Sequence, residues 1–260
     1  MITVAVLNYK RPIEWLEGII SSSLKQSVCQ ITPNVIICSD ESEETLKKSD
    51  VLKDLDFTYI ENTGESIANS KNKIIEKSIE LDTEKLILIE DDTVISDEFD
   101  DTFEKYIDLM NDMNLGVIFN CYTKPANYVL TKPSPRLLLG YKGHAKSEML
   151  TTNRHEMCDF MIIDVVKNKE RFNEDLCIFE SSEYIFKSQK SGQIPFLNQF
   201  FDIPDSWEKI SGREIDTSRN CENHVVNEDR QKMDKVVNGE WSVNNDLNDI
   251  IEYIRKQLGV

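Results

Sequence analysis

The sequence predicts an α/β fold, a three-layer α/β/α sandwich around a mostly parallel, doubly wound sheet. Three observations point there. Short aliphatic runs alternate with segments of helical period along the first 120 residues. Those runs are apolar at successive positions rather than at alternate ones, as in strands covered on both faces. Several of them end in a carboxylate or an amide, and an open α/β sheet binds ligands beyond the carboxyl ends of its strands.

Taken in order, "TVAVLN" (3–8) reads as the first strand, and Pro12 sits where a helix can begin. Leu16, Ile19, Ile20 and Leu24 then recur at helical spacing. "NVIICS" (34–39) is the second strand, followed by an acidic stretch in which Leu46 and Leu52 suit a helix. "FTYIE" (57–61) is the third strand, and Ile67, Ile74, Ile75 and Ile79 mark one face of the next helix. "KLILI" (85–89) is the fourth. After it, Phe99, Phe103, Ile107 and Met110 predict a helix capped by Ser96, with Asp97 and Glu98 in its first turn. "LGVIFN" (115–120) is the fifth strand.

Residues 121–157 change character, with prolines, polar residues and no clear period, which suits a long functional loop. "CDFMIID" (158–164) resumes as a strand, and Glu180 to Ser191 reads as a helix ended by Gly192. Residues 193–244 read as irregular, with Trp207 and Trp241 able to form a stacking wall or to pack the tail. Leu247, Ile250, Ile251, Ile254 and Leu258 make an amphipathic closing helix. The division expected is a ligand-binding half over 1–120 and a second half over 121–260, within one continuous domain.

Charge narrows the function. Thirty Lys and Arg against 47 Asp and Glu give a formal net charge of −17, which disfavours unaided binding to nucleic acid or an anionic membrane. No apolar run approaches the ~20 residues of a membrane span. The six cysteines are scattered without a framework spacing, and there is no signal-peptide pattern, so a cytoplasmic setting with free thiols is expected.

The stretch "LILIEDDTVI" (86–95) raises the chemical question. Glu90, Asp91 and Asp92 follow a strand buried on both faces, where three adjacent carboxylates repel one another. A hard divalent cation, Mg²⁺ or Mn²⁺, would offset that charge and could take substrate phosphates as further ligands. Asn8 and Asp40 end the first two strands, so they should converge with the triplet on one rim.

These residues resemble the glycosyltransferase family 2 type of GT-A enzymes. The quoted segments are "VAVLNYKRPIEWLEGIISSSLKQS", "VIICSD", "NTGESIANSKNKIIEKS", "LILIEDDTVI" and "RFNEDLCIFESSEYIFKSQKSG", in that order, over roughly residues 2–192. The resemblance implies a sugar transferred from a nucleotide-sugar donor, a UDP-sugar first among them, to an acceptor hydroxyl. It also implies a DxD-bound Mn²⁺ or Mg²⁺ and inversion at the anomeric carbon. By position, Asn8 and Tyr9 fall beside the base and ribose, and Asp40 at the base. Lys71 and Asn72 stand where the family keeps an Arg-Asn pair. Asp92 takes the metal-binding place, with Glu90 or Asp91 at the ribose or a metal-bound water. His224 is a further metal-ligand candidate, because such enzymes often use a histidine near the C-terminus.

One departure bears on mechanism. Where the family has Glu-Asp in the late segment this chain has Glu180-Ser181, so the usual base aspartate is missing. Glu180 and Glu183, three apart on a helix, are the candidates to replace it, Glu183 favoured slightly, with Asp159 next. The acceptor stays open among a glycan, a protein side chain, a small molecule and a modified nucleobase. A nucleotidyltransferase would share the sheet and metal, but "LNYKRP" lacks the glycines such enzymes carry near the first strand. A non-catalytic acidic cation-binding or interaction protein is the remaining alternative.

Overall fold

In the computed structural model, two apolar clusters lie on opposite faces of a mixed sheet that has eight strands among the described residues. The structure describes residues 1–91, 93–95, 97, 100–122, 135–138, 157–176, 180–193, 200–202 and 207–209, with 228, 252 and 256. The strands are β1 (Ile2–Leu7), β2 (Asn34–Ser39), β3 (Thr58–Glu61), β4 (Lys85–Glu90), β6 (Val117–Tyr122), β7 (Pro135–Leu138), β8 (Met157–Asp164) and β9 (Phe200–Asp202). A separate two-stranded sheet pairs β5 (Thr93–Ile95) with β10 (Trp207–Lys209).

β3, β2, β1 and β4 lie side by side in that order and are mutually parallel, as the alternation of strands with helices predicts. β8 inserts antiparallel between β4 and β6, and β7 runs antiparallel to β6 and β9, so six of the eight strands point one way. Side-chain alternation then divides each strand between two cores. Val4 and Val6, Val35 and Ile37, and Ile87 and Ile89 face one cluster. Ala5 and Leu7, Ile36 and Cys38, and Leu86 and Leu88 face the other. The first cluster is covered by α1 (Ile13–Leu24) and α4 (Thr102–Asp112), the second by α3 (Ile67–Glu80) and α5 (Glu180–Lys190). α2 (Glu43–Leu46) is a single turn that buries Leu46. Each fully buried aliphatic side chain contributes about 1.5–3 kcal/mol. A strand with both faces covered therefore needs the unbroken apolar runs the sequence carries.

The helix ends follow local chemistry. Ser66 caps α3, its Oγ accepting the Asn69 amide at 2.9 Å, and Pro12 presets the entry to α1. α3 and α4 are each followed by a left-handed residue, Asp82 and Asn114 (φ 53° for both). α5 is followed by Gly192 at φ 76°.

α4 departs from the expectation. It starts at Thr102, not after Ser96, and Asp97 instead pairs with Lys25 at 2.6 Å. The first turn is capped from elsewhere in the chain: Gln26 Oε1 accepts the buried Phe103 amide at 3.2 Å. Pairing with remote strands also gives β7, β9 and β10 an extended form in regions that read as irregular.

Ser96 and Trp241 lie outside the described residues, as does the expected closing helix apart from Glu252 and Lys256. Cys29 and Cys38 are free thiols whose burial pushes them up to about 12. Among the described residues no helix is long and apolar enough to cross a membrane.

Candidate functional site

The parallel register decides which residues meet at the rim. Leu7 is in register with Cys38 on one side and Glu90 on the other, so Asn8 emerges between the residues that follow β2 and β4. Asn8 is buried, and each of its polar groups is used. Its Nδ2 donates to Asp91 Oδ2 at 3.0 Å and its Oδ1 accepts from Ser39 Oγ at 2.7 Å. Its amide donates to the Cys38 carbonyl, and its carbonyl accepts from Asn62 Nδ2 at 3.0 Å.

The turn after Asn8 is held by two carboxylates from neighbouring strands. Asp91 Oδ2 also accepts the Tyr9 amide at 3.0 Å, and Arg11 Nε lies 3.8 Å from its Oδ1. Asp40 accepts the next amide, that of Lys10, at 3.0 and 3.2 Å to its two oxygens. Lys10 is left-handed (φ 53°), a conformation that disfavours a residue bearing a Cβ and is kept here by that hydrogen bond. The Tyr9 ring lies directly over Gly64 (φ 74°), where a Cβ would come within 2.5 Å of the Tyr9 hydroxyl. Gly64 is therefore needed both for its backbone and for its missing side chain.

Glu90 faces the other side of the rim. Its Oε1 lies 3.3 Å from Lys71 Nζ, and the same ammonium lies 3.3 Å from Glu180 Oε1 and 3.2 Å from Ser181 Oγ. The repulsion among the acids is thus answered within the protein for two of the three. Glu90 has Lys71, and Asp91 has Asn8, Tyr9 and Arg11. Asp92, the residue in the metal-binding place, lies outside the described residues, as does His224. Among the described residues no group of three or more His, Cys, Asp or Glu side chains is gathered as a metal would require.

The predicted residues therefore fall into three sets. Asn8, Tyr9, Asp40, Glu90 and Asp91 come together at the carboxyl ends of β1, β2 and β4. Lys71 and Glu180 join them from α3 and α5. Asn72 and Glu183 face elsewhere. Asn72 exchanges hydrogen bonds with the Phe172 backbone in both directions, each 2.9 Å, and its Nδ2 also reaches Glu174 Oε1 at 2.8 Å. Glu183 is buried one turn into α5, with Lys187 Nζ 3.2 Å from its Oε2. Burial pushes its carboxyl upward, Lys187 opposes that, and Glu170 adds to it.

Ser39, Asn62, Arg11 and Phe172 also build this region, although strand-end position and the quoted segments single out none of them, and Ser181, which drew notice only as the replacement for an aspartate, joins them beside Lys71. "NTG" (62–64) directly after β3 was the available signal, as a turn at the same rim.

No protein family and no curated protein matches the chain. Solved structures do. S. aureus TarS 1–349 in complex with UDP is 12% identical, with a TM-score of 0.51, over 74% of this chain and 56% of that one. The same protein in complex with UDP-GlcNAc is 14% identical, with a TM-score of 0.50, over 73% and 53%. A mannosyltransferase from Pyrobaculum calidifontis in complex with GDP-Man and Mn²⁺ is 13% identical over 76% and 54%, with a TM-score of 0.49. The chain thus spans little more than half the length of the TarS 1–349 chains it matches. At such identities the likeness shows the fold alone, and that fold is the GT-A-like α/β scaffold.

Proposed function

We propose that the chain is a nucleotide-sugar glycosyltransferase that moves a sugar to an acceptor hydroxyl with inversion. Residues 1–120 would form the donor half and residues 121–260 the acceptor side. The observation that carries this reading is the convergence of Asn8, Tyr9, Asp40, Glu90 and Asp91 on one rim of a GT-A-like sheet, with Glu180 facing them across Lys71. Asp40 keeps oxygen lone pairs for the N–H groups of a base, and the Tyr9 ring stands beside it with the Lys10 ammonium 5.0 Å from the ring centre. UDP-GlcNAc, bound by TarS, is the first donor to try.

A carboxylate at this strand end is the right chemistry for a hard cation. Asp92, as the acid after the two that the protein itself partners, would hold Mn²⁺ or Mg²⁺, with His224 as a further ligand. Such an ion neutralises charge on a diphosphate leaving group.

Thermal shift with UDP- and GDP-sugars tests this. A donor at 100 times its Kd stabilises by about 2.7 kcal/mol, roughly 5–10 °C for a chain of this size. The shift is expected with Mn²⁺ present and not with excess chelator, and Asp92→Asn should remove it while leaving the fold intact. A full shift in chelator would sink the metal assignment.

The base is proposed on geometry. Glu180 starts α5 at the rim, whereas Glu183 lies one turn deeper beside Lys187. Glu180→Gln is expected to lower turnover by about 10²–10⁴-fold with donor affinity unchanged. Glu183→Gln should keep turnover near wild type. The reverse pattern would return the role to Glu183, and normal turnover in both would pass it to Asp159, whose side chain lies outside the described residues.

A further inference from the structure

Lys71 stands where the resemblance places a cation beside the donor, yet its ammonium is turned into the protein. Its side chain is 1% exposed. The three N–H groups of an ammonium have three oxygens within reach: Glu90 Oε1 at 3.3 Å, Glu180 Oε1 at 3.3 Å and Ser181 Oγ at 3.2 Å. Its Nζ also lies 5.3 Å from the centre of the Phe172 ring, as in a cation–π contact. A ligand could gain an N–H from Lys71 only by taking it from one of these oxygens.

The neighbouring residues of α3 act in the same direction. Asn72 holds the Phe172 backbone through both its amide groups. Asn69 and Asn72 both donate to Glu174, and those two hydrogen bonds hold its carboxyl below the ordinary value. α3 thus holds the chain at 172–174 through Asn69 and Asn72 and again at 180–181 through Lys71, on either side of the entry to α5.

We propose that Lys71 is a positioning residue, fixing Glu180 against Glu90 at the rim, and not a donor-binding cation. The inference rests on the reading of Glu180 as the base, because only then does its placement govern turnover. The two acids belong to opposite walls of the site, the end of β4 and the start of α5. A single buried cation between them sets the distance from donor side to acceptor side.

The test is a split between donor affinity and turnover in Lys71→Met, Glu180→Gln and the double variant, with UDP-GlcNAc and Mn²⁺ or whichever nucleotide sugar raises the melting temperature. Lys71→Met is expected to keep the donor Kd within about threefold while kcat falls about 10²-fold. The double variant should be no slower than Glu180→Gln alone, because the lysine acts through that glutamate. A tenfold or greater loss of donor affinity with kcat preserved would overturn the proposal, and so would losses that multiply in the double variant.

If Lys71→Met fails to fold, Lys71→Arg is read in the same way. It keeps the charge, but its planar fork displaces Glu180, so kcat should fall with Kd unchanged. A wild-type protein that binds no nucleotide sugar would remove the functional reading instead. The link between Lys71 and Glu180 would then be judged by unfolding. There the two single losses should be non-additive by about tenfold in equilibrium constant, and additive losses would overturn it.

Discussion

Asp91→Ala is expected to destabilise the folded chain by about 3 kcal/mol, one of the largest effects of any single change at the rim. Asp91 is 8% exposed, and its carboxylate accepts two hydrogen bonds, from the buried Asn8 side chain and from the Tyr9 amide, with Arg11 close by. Hydrogen bonds to a charged group contribute about 1.5–3 kcal/mol each, and a buried donor that loses its acceptor carries a desolvation cost. The loss should spread along the turn, because the Tyr9 amide that Asp91 holds directly precedes Lys10, whose left-handed backbone is held by Asp40. Asp91→Asn retains the shape and one acceptor oxygen, so about half the loss is expected. Urea unfolding at neutral pH measures both. An Asp91→Ala variant within 0.5 kcal/mol of wild type, the range usual for surface changes, would show that this carboxylate does not organise the rim.

Strands β1, β2 and β4 were legible because strands covered on both faces require unbroken apolar runs, and residues 4–7, 35–38 and 86–89 supply them, while the helices alternating with them predict a parallel arrangement. The same runs say nothing of direction. β8 reads like its neighbours, yet it enters antiparallel between β4 and β6. α4 was misplaced because its cap comes from Gln26, 77 residues away from Phe103. β9 and β10 are three residues each and owe their extended form to remote partners.

At the site, position along the strands was enough to gather Asn8, Asp40, Glu90 and Asp91. Pairing was not legible. Three adjacent acids raised a repulsion that a metal alone seemed to answer, whereas Lys71 and the Asn8–Arg11 turn answer it for two of them. Spacing also treated Glu180 and Glu183 as one helical face. At 100° per residue they stand about 60° apart, which is enough to send one to Lys71 and the other to Lys187.

Lys85→Met is expected to cost about 3 kcal/mol at neutral pH, at the rim opposite the candidate site. Lys85 opens β4 in register with Asp164 at the end of β8, and Nζ donates to Asp164 Oδ2 at 2.7 Å. The two side chains are only 6% and 2% exposed. Removing one partner of a buried pair strands the other and typically costs 3–5 kcal/mol. Lys167, 3.5 Å from the same carboxylate oxygen, offsets part of the loss, which places the expectation at the lower end. The pH dependence identifies the cause. Burial alone would push the Asp164 carboxyl upward, but the Lys85 hydrogen bond, the Lys167 amide and the two ammonium charges bring it below its ordinary value of 3.8. A carboxyl held low in the folded state stabilises fully above its unfolded value, and that contribution is lost as pH falls through the folded value. Without Lys85 the balance tips toward burial, so the variant no longer loses this contribution in acid. Its deficit against wild type should therefore be largest near pH 7 and shrink below about pH 4. Lys85→Met/Asp164→Asn should recover much of the neutral-pH loss, since no buried charge is stranded and the asparagine oxygen can still accept from the Val166 and Lys167 amides. A deficit for Lys85→Met that is the same at pH 7 and pH 3.5 would show that packing of the lysine stem, and not the ion pair, joins β4 to β8.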